Sequence, residues 1–142
     1  MEIKKIVIQG SSGYGTADQA YVEKLTLTDE TISYEYRPFI QSEISHCKKW
    51  TYKTNNPKFL CLFRLVAAHM SEIIQNPPTD LANDVGGIEF TVTYEDKTKW
   101  KQLFWMSGDS FKDLFSVIKK MVPESEDEPE VLRTSYDDRN SL

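Results

Sequence analysis

Two cysteines and two histidines are all this chain has of the side chains that favour soft metal ions and thiol chemistry. Cys47 and Cys61 form no disulfide framework. With His46 and His69 they match neither paired Cys-x-x-Cys knuckles nor a His-x3-His helix face, so no metal site is expected. Cys61 and His69 fall on one predicted helix about 12 Å apart along its axis, too far for a nucleophile and its base. No catalytic residue and no cofactor is therefore assigned. A basic surplus is missing too: residues 1–123 carry 15 acidic and 15 basic side chains, and residues 124–142 carry seven and two. A nucleic-acid binder displaces counterions from phosphates with such a surplus, so nucleic acid is not an expected partner. Long apolar runs are also lacking. The stretch 59–70 is broken by Arg64 and His69 and is too short for a bilayer, and Met1 to Lys5 leads into too few apolar residues for a signal peptide. A cytoplasmic protein with reduced thiols and no membrane contact is expected.

What is present is the composition of an ordinary globular chain, with 39 % hydrophobic and 27 % charged residues over 142 positions, enough to build one core without staples. Ile3 to Gln9 is β-branched and runs into Gly10-Ser11-Ser12-Gly13-Tyr14-Gly15, which reads as a first strand followed by a glycine loop. A second strand is expected from about Ala20, with Tyr21, Glu23, Leu25 and Leu27 on one side. Thr28-Asp29-Glu30 then supplies a turn, and Ile32, Tyr34 and Tyr36 resume the period of two up to Pro38. Residues 39–47 show no firm period and read as loop, and Lys48 to Lys53 alternates again. Asn55-Asn56-Pro57 is a helix start, and the apolar spacing predicts a helix to about Gln75 that is the central, most buried one, because Leu60 and Leu65 widen its stripe. Asn76-Pro77-Pro78 stops it.

Ile88, Phe90, Val92 and Tyr94 alternate with Glu89, Thr91 and Thr93 as a half-buried strand does, with a partner strand from Lys99 to Met106. Gly108-Asp109-Ser110 offers a cap for a second amphipathic helix from Phe111 to Val122, ended by Pro123 and laid on the sheet. The fold class is α+β: a largely antiparallel sheet of about six strands, in the order βββ-β-α-ββ-α, with two helices packed on one face. Residues 1–123 form a single domain, and 124–142 an acidic terminus that is flexible and solvated or else a docking segment.

Three motifs bear on function. The loop Gly10 to Gly15 lacks the Gly-Lys-Ser/Thr ending and the following helix that a phosphate site needs, so it reads as a flexible turn or a partner-contacting loop. Asp80, Asp84 and Glu89 could meet as paired carboxylates, but nothing in the sequence fixes their geometry, and loops use such residues for turns and solubility. The last hairpin is the most informative. A three-residue loop at 96–98 would pair Tyr94 with Trp100, Phe90 with Phe104 and Glu95 with Lys99, joining aromatic and opposite-charge partners. Leu103 and Trp105 would then point away from the main core beside Thr91 and Glu89, as a surface for a partner chain or for a loop folded back over the sheet.

A strand running into Ser12-Gly13-Tyr14-Gly15, a later strand ending in Tyr94-Glu95-Asp96 and a closing helix from Phe111 together resemble small uncharacterised bacterial α+β proteins and, over about a quarter of the chain, the emfourin family of small protease inhibitors. Lys97 stands where that family has a glycine after the hairpin aspartate. The long first helix and the Trp50 region have no counterpart there. The resemblance implies a non-enzymatic inhibitor or binding role and carries over no inhibitory residue. The expected function is a non-catalytic protein-interaction or inhibitor-like domain contacting another protein through Ser12, Tyr14, Leu103 and Trp105. The alternative is a small-molecule-binding domain or small enzyme with an aromatic pocket at Tyr34, Trp50 and Tyr52 between the sheet and the first helix. Self-association through an exposed edge or the same patch is the third reading.

Overall fold

A computed structural model describes residues 2–11, 21–38, 47–79, 87–105, 108–126 and 129–132. Six strands, β1 (Ile3–Ser11), β2 (Tyr21–Leu27), β3 (Thr31–Pro38), β4 (Lys48–Lys53), β5 (Ile88–Tyr94) and β6 (Lys99–Phe104), form one sheet in the order β4-β3-β2-β1-β5-β6. Every neighbouring pair is antiparallel. Two helices, α1 (Pro57–Gln75) and α2 (Lys112–Lys119), complete the α+β fold in the expected order. The period-two pattern decides the faces. Ile6, Ile8, Leu25, Leu27, Ile32, Phe90 and Val92 all turn to one side and are fully buried, whereas Lys24, Arg37, Lys99 and Lys101 on the other remain exposed.

α1 begins as its sequence predicts. The Asn56 side chain accepts from the Lys58 N–H at 2.9 Å, Pro57 opens the first turn, and Pro77 and Pro78 follow the Asn76 cap. The expectation that α1 is the central, most buried helix is overturned. A stripe of four, Phe59, Phe63, Val66 and Met70, is buried, while Leu65 is 48 % exposed and Leu60 and Leu62 are half-buried. The eight-residue α2 takes the centre instead, with Leu114, Phe115, Val117 and Ile118 buried. Phe111 and Phe115 join Phe90 and Phe104 in an aromatic cluster with ring centroids 5.0–6.4 Å apart. α2 is also shorter than its periodicity suggests. A 3-10 turn, Gly108–Phe111, precedes it, its N-cap residue Phe111 supplies no side-chain cap bond, and three-residue backbone bonds at Lys120, Met121 and Val122 carry the chain to Pro123.

Two further findings concern the ends of the chain's elements, a correction at β1 and a partial decision between the two readings of the acidic terminus. β1 does not stop before the glycine loop: it continues through Gly10 to Ser11, and Gly10 serves as strand residue rather than turn. The acidic terminus is not solvated throughout, because Pro129, Val131 and Leu132 are buried in a short 3-10 turn (Glu130–Leu132) laid on Gly10 and Glu23. The absent side chain of Gly10 makes that niche: a β-carbon there would stand 2.9 Å from Val131 Cγ2.

Candidate functional site

The β5–β6 hairpin places the candidate surface, and its register departs from the expected one by two residues. Tyr94 donates its N–H to Thr98 O at 2.9 Å, Lys97 donates to Tyr94 O at 2.9 Å, and Lys97 has φ 72°. This is a three-residue loop at 95–97 with a bulge, not a loop at 96–98. Asp96 drives the slip: its Oδ1 accepts from the Thr98 N–H at 3.0 Å and the Thr98 hydroxyl at 2.6 Å, which makes Thr98 the first residue of the returning strand. Those hydrogen bonds, the side-chain one first, hold the Asp96 carboxyl below the ordinary carboxylate value. Val92 therefore faces Trp100, Phe90 faces Gln102 and Ile88 faces Phe104. Phe90 and Phe104 still meet on the diagonal, at 5.8 Å and near right angles.

A slip of two leaves each side chain on its original face, so Leu103 and Trp105 do stand on the open side of the sheet, 43 % and 55 % exposed. They converge on one point. A β-carbon on Gly87 would lie 2.9 Å from Leu103 Cδ1 and 3.2 Å from the Trp105 ring. Ser11 anchors the neighbouring strand end there, donating its N–H to Gly87 O at 3.1 Å and accepting from the Gly87 N–H at 3.2 Å through its hydroxyl. A concavity of about 530 Å³ extends from Gly87 and Leu103 across Gln9, Ser11, Val22 and Lys24 to Glu35 and Arg37, which form an ion pair. Ser12 and Tyr14, expected in the same surface, lie outside the described residues.

The alternative aromatic trio is not assembled as one lining. Tyr34 is 5 % exposed, its ring 5.9 Å from Trp50 and its hydroxyl donated to Glu23 Oε1 at 2.9 Å. Glu23, also 5 % exposed, accepts at the same oxygen from the Val131 N–H at 3.0 Å, so this buried carboxylate ties β3 to the returning terminus. Tyr52 lies on the same face as Trp50 but is 41 % exposed, and it meets Phe59 edge-on at 6.3 Å, beside a hollow of about 370 Å³ formed with Asn56, Leu62 and Met121. Trp50 is half-buried, and its indole N–H is enclosed without a hydrogen-bond partner among the described residues. Sequence reasoning missed both Glu23 and the orphaned indole. Glu23 stood in the inward column of β2 with Tyr21, Leu25 and Leu27, and a carboxylate in an apolar column is the signal that could have found it.

The other reactive candidates stay apart or unseen. Asp80, Asp84 and His46 lie outside the described residues, and Glu89 spends its carboxylate on Lys101 at 3.5 Å. Cys47 and Cys61 are free and exposed. Among the described residues no group of three histidine, cysteine or acidic side chains could hold a metal ion, and no helix is long and apolar enough to cross a membrane. No protein-family model and no curated protein matches this chain.

Proposed function

We propose that this chain is a non-catalytic protein-binding domain, inhibitor-like in kind, that contacts another protein through the Leu103 and Trp105 end of its open sheet face. The observation that carries the reading is the convergence of two large, half-exposed apolar side chains over Gly87, on a face that is otherwise mostly polar, with Val22 as its other exposed large apolar member. Tryptophan beside an aliphatic neighbour at a surface is the composition of a binding hot spot, because hiding it from water repays the ordering of the partner. The chain enters the Ser12 to Tyr14 segment directly from Ser11, whose backbone is bonded to Gly87. Two exposed free thiols suit a reducing compartment such as the cytoplasm.

The test is a binding partner captured with the full chain, purified and titrated. Trp105→Ala or Leu103→Ser should weaken that complex by about tenfold or more, whereas Leu65→Ser, on the exposed flank of α1, should leave it unchanged. A complex indifferent to both Leu103 and Trp105 overturns the reading.

One observation favours a second reading, a small-molecule site near Trp50: the enclosed indole N–H without a partner is a donor that a ligand oxygen would satisfy. A metabolite panel in a thermal-shift assay tests it. A compound that raises the melting temperature of the native chain and of Trp105→Ala but not of Trp50→Phe supports the pocket over the surface.

A further inference from the structure

Hydrogen bonding in the hairpin determines which backbone groups the edge of the sheet offers. The Tyr94 to Thr98 bond makes that pair a hydrogen-bonded one, and antiparallel ladders alternate, so Trp100, Gln102 and Phe104 turn their N–H and C=O groups to β5. The bond from Ser11 N–H to Gly87 O gives the same parity from the other side, since it commits Glu89, Thr91 and Thr93 to β1. Lys99, Lys101 and Leu103 are left with backbone groups aimed off the edge. Their side chains all stand on the open face, where Lys99 and Lys101 are exposed, Lys101 with Glu89 on its inner side at 3.5 Å, and Leu103 continues into Trp105.

From this geometry we infer that β6 is a strand-pairing edge whose occupant is an extended acidic segment of another protein, an identification that rests on the binding surface proposed above. A strand added beside β6 would set alternate residues opposite Lys99, Lys101 and Leu103, about 7 Å apart along the chain. Opposite-charge and apolar cross-strand pairs then require glutamate or aspartate at the first two positions and an aliphatic residue at the third. Small β-formers fit between, and Trp105 covers the aliphatic end. A second copy of this chain is the wrong occupant. Antiparallel pairing of β6 with itself about Lys101 sets that lysine against its own copy and Leu103 against Lys99, and pairing with β4 of another copy sets lysines against Lys49 and Lys53. The lysines that suppress self-association are the ones that select an acidic strand.

The probe is a seven-residue capped peptide, Thr-Val-Thr-Glu-Thr-Glu-Thr, with a counterpart carrying lysine for both glutamates, each titrated into the full chain at up to millimolar concentration with amide hydrogen exchange as readout. The acidic peptide should bind at least about tenfold more tightly than the basic one. The amides of Lys99, Lys101 and Leu103 should gain protection, while those of Trp100 and Gln102, already bonded to β5, should not change. The double variant Lys99→Glu/Lys101→Glu should reverse the peptide preference. Absence of peptide binding, equal binding of the two peptides, or protection spread evenly along β6 overturns strand pairing. If the complex of the captured partner still depends on Trp105, the contact surface survives that failure. Protection of the same three amides that rises with protein concentration alone identifies a second copy as occupant and also overturns the inference.

Discussion

The sheet has two edges, β4 and β6, and both are guarded by lysines, yet they are built for different ends. On β4 the backbone groups that point outward belong to Lys49, Thr51 and Lys53, because the Thr54 N–H to Glu30 O bond sets the parity of that ladder. Their side chains share the open face with no apolar neighbour among them. On β6 the same accounting ends in Leu103 and passes to Trp105. The inner sides differ as well: β4 has no buried residue, whereas β6 ends in Phe104, sunk in the cluster with Phe90 and Phe111. One edge is a repulsive border with weak anchorage. The other is a firmly held strand whose border is repulsive to itself and apolar at one end, which is what a rigid binding edge requires.

Anchorage is the part of this contrast with the largest expected effect. Phe104→Ala should cost about 3–5 kcal/mol, as deletion of a fully enclosed aromatic ring does, while Tyr52→Ala on β4, half in water, should cost under about 1 kcal/mol. Urea denaturation of the two variants measures the difference. Equal losses would break the comparison, because the two edges would then be held alike.

A second contrast uses the two glycines that back the surface. At Gly10 a new β-carbon meets Val131 within a closed core, so Gly10→Ala should lower stability by about 1–3 kcal/mol and expel the Pro129 to Leu132 turn. At Gly87 the obstacles are the ends of Leu103 and Trp105, which can swing into water. Gly87→Ala should therefore cost less than about 1 kcal/mol and should show up mainly as a shift in Trp105 fluorescence. A large loss at Gly87 would mean that the β6 end is packed as tightly as the core.

Much of this was legible in the sequence. The strands, the α1 cap at Asn56 and the outward aim of Leu103 and Trp105 followed from period and punctuation, which are local. What escaped was tertiary. The apolar residues of α1 outnumber those of α2, but burial depends on what lies opposite, and the sheet presents Phe90 and Phe104 to α2. Gly10 was read as a turn because glycine loosens chains, when its role is to leave room for Val131, 121 positions away in sequence. The hairpin register was misjudged because aromatic and charge pairing was weighed above the Asx bond of Asp96, and a side chain that closes the turn itself acts before any cross-strand pair can form.

That turn supplies a stabilising variant. Lys97 holds φ 72°, a conformation that costs an L-residue about 1–2 kcal/mol and glycine almost nothing. Lys97→Gly gives part of this back through the freer unfolded chain, so a net gain of about 0.5–1 kcal/mol is expected. The midpoint of urea denaturation should rise with no change in slope. A loss would show that the Lys97 side chain makes a contact worth more than the backbone strain.

Asp96 carries the smallest effect, and it bears directly on β6. Its carboxyl titrates below the ordinary value because the ionised form is the acceptor for Thr98. A carboxylate with a folded value below its unfolded one adds stability that is complete above the unfolded value and is lost as pH falls through the folded one. Acidification should therefore loosen the loop at 95–97 and with it the pairing of Thr93 with Lys99, while the pairing of Thr31 with Lys53 at the other edge should not respond at the same pH. Carbon-detected titration of Asp96 with amide exchange at Thr98 and Lys99 follows both events. Thr98→Ala removes the hydroxyl bond and keeps the backbone one, so it should bring the Asp96 midpoint part of the way back toward the ordinary carboxylate value and weaken the pH dependence of exchange at Lys99. If exchange at Lys99 keeps its full dependence in that variant, the register of the binding edge is held by the strands and not by the aspartate.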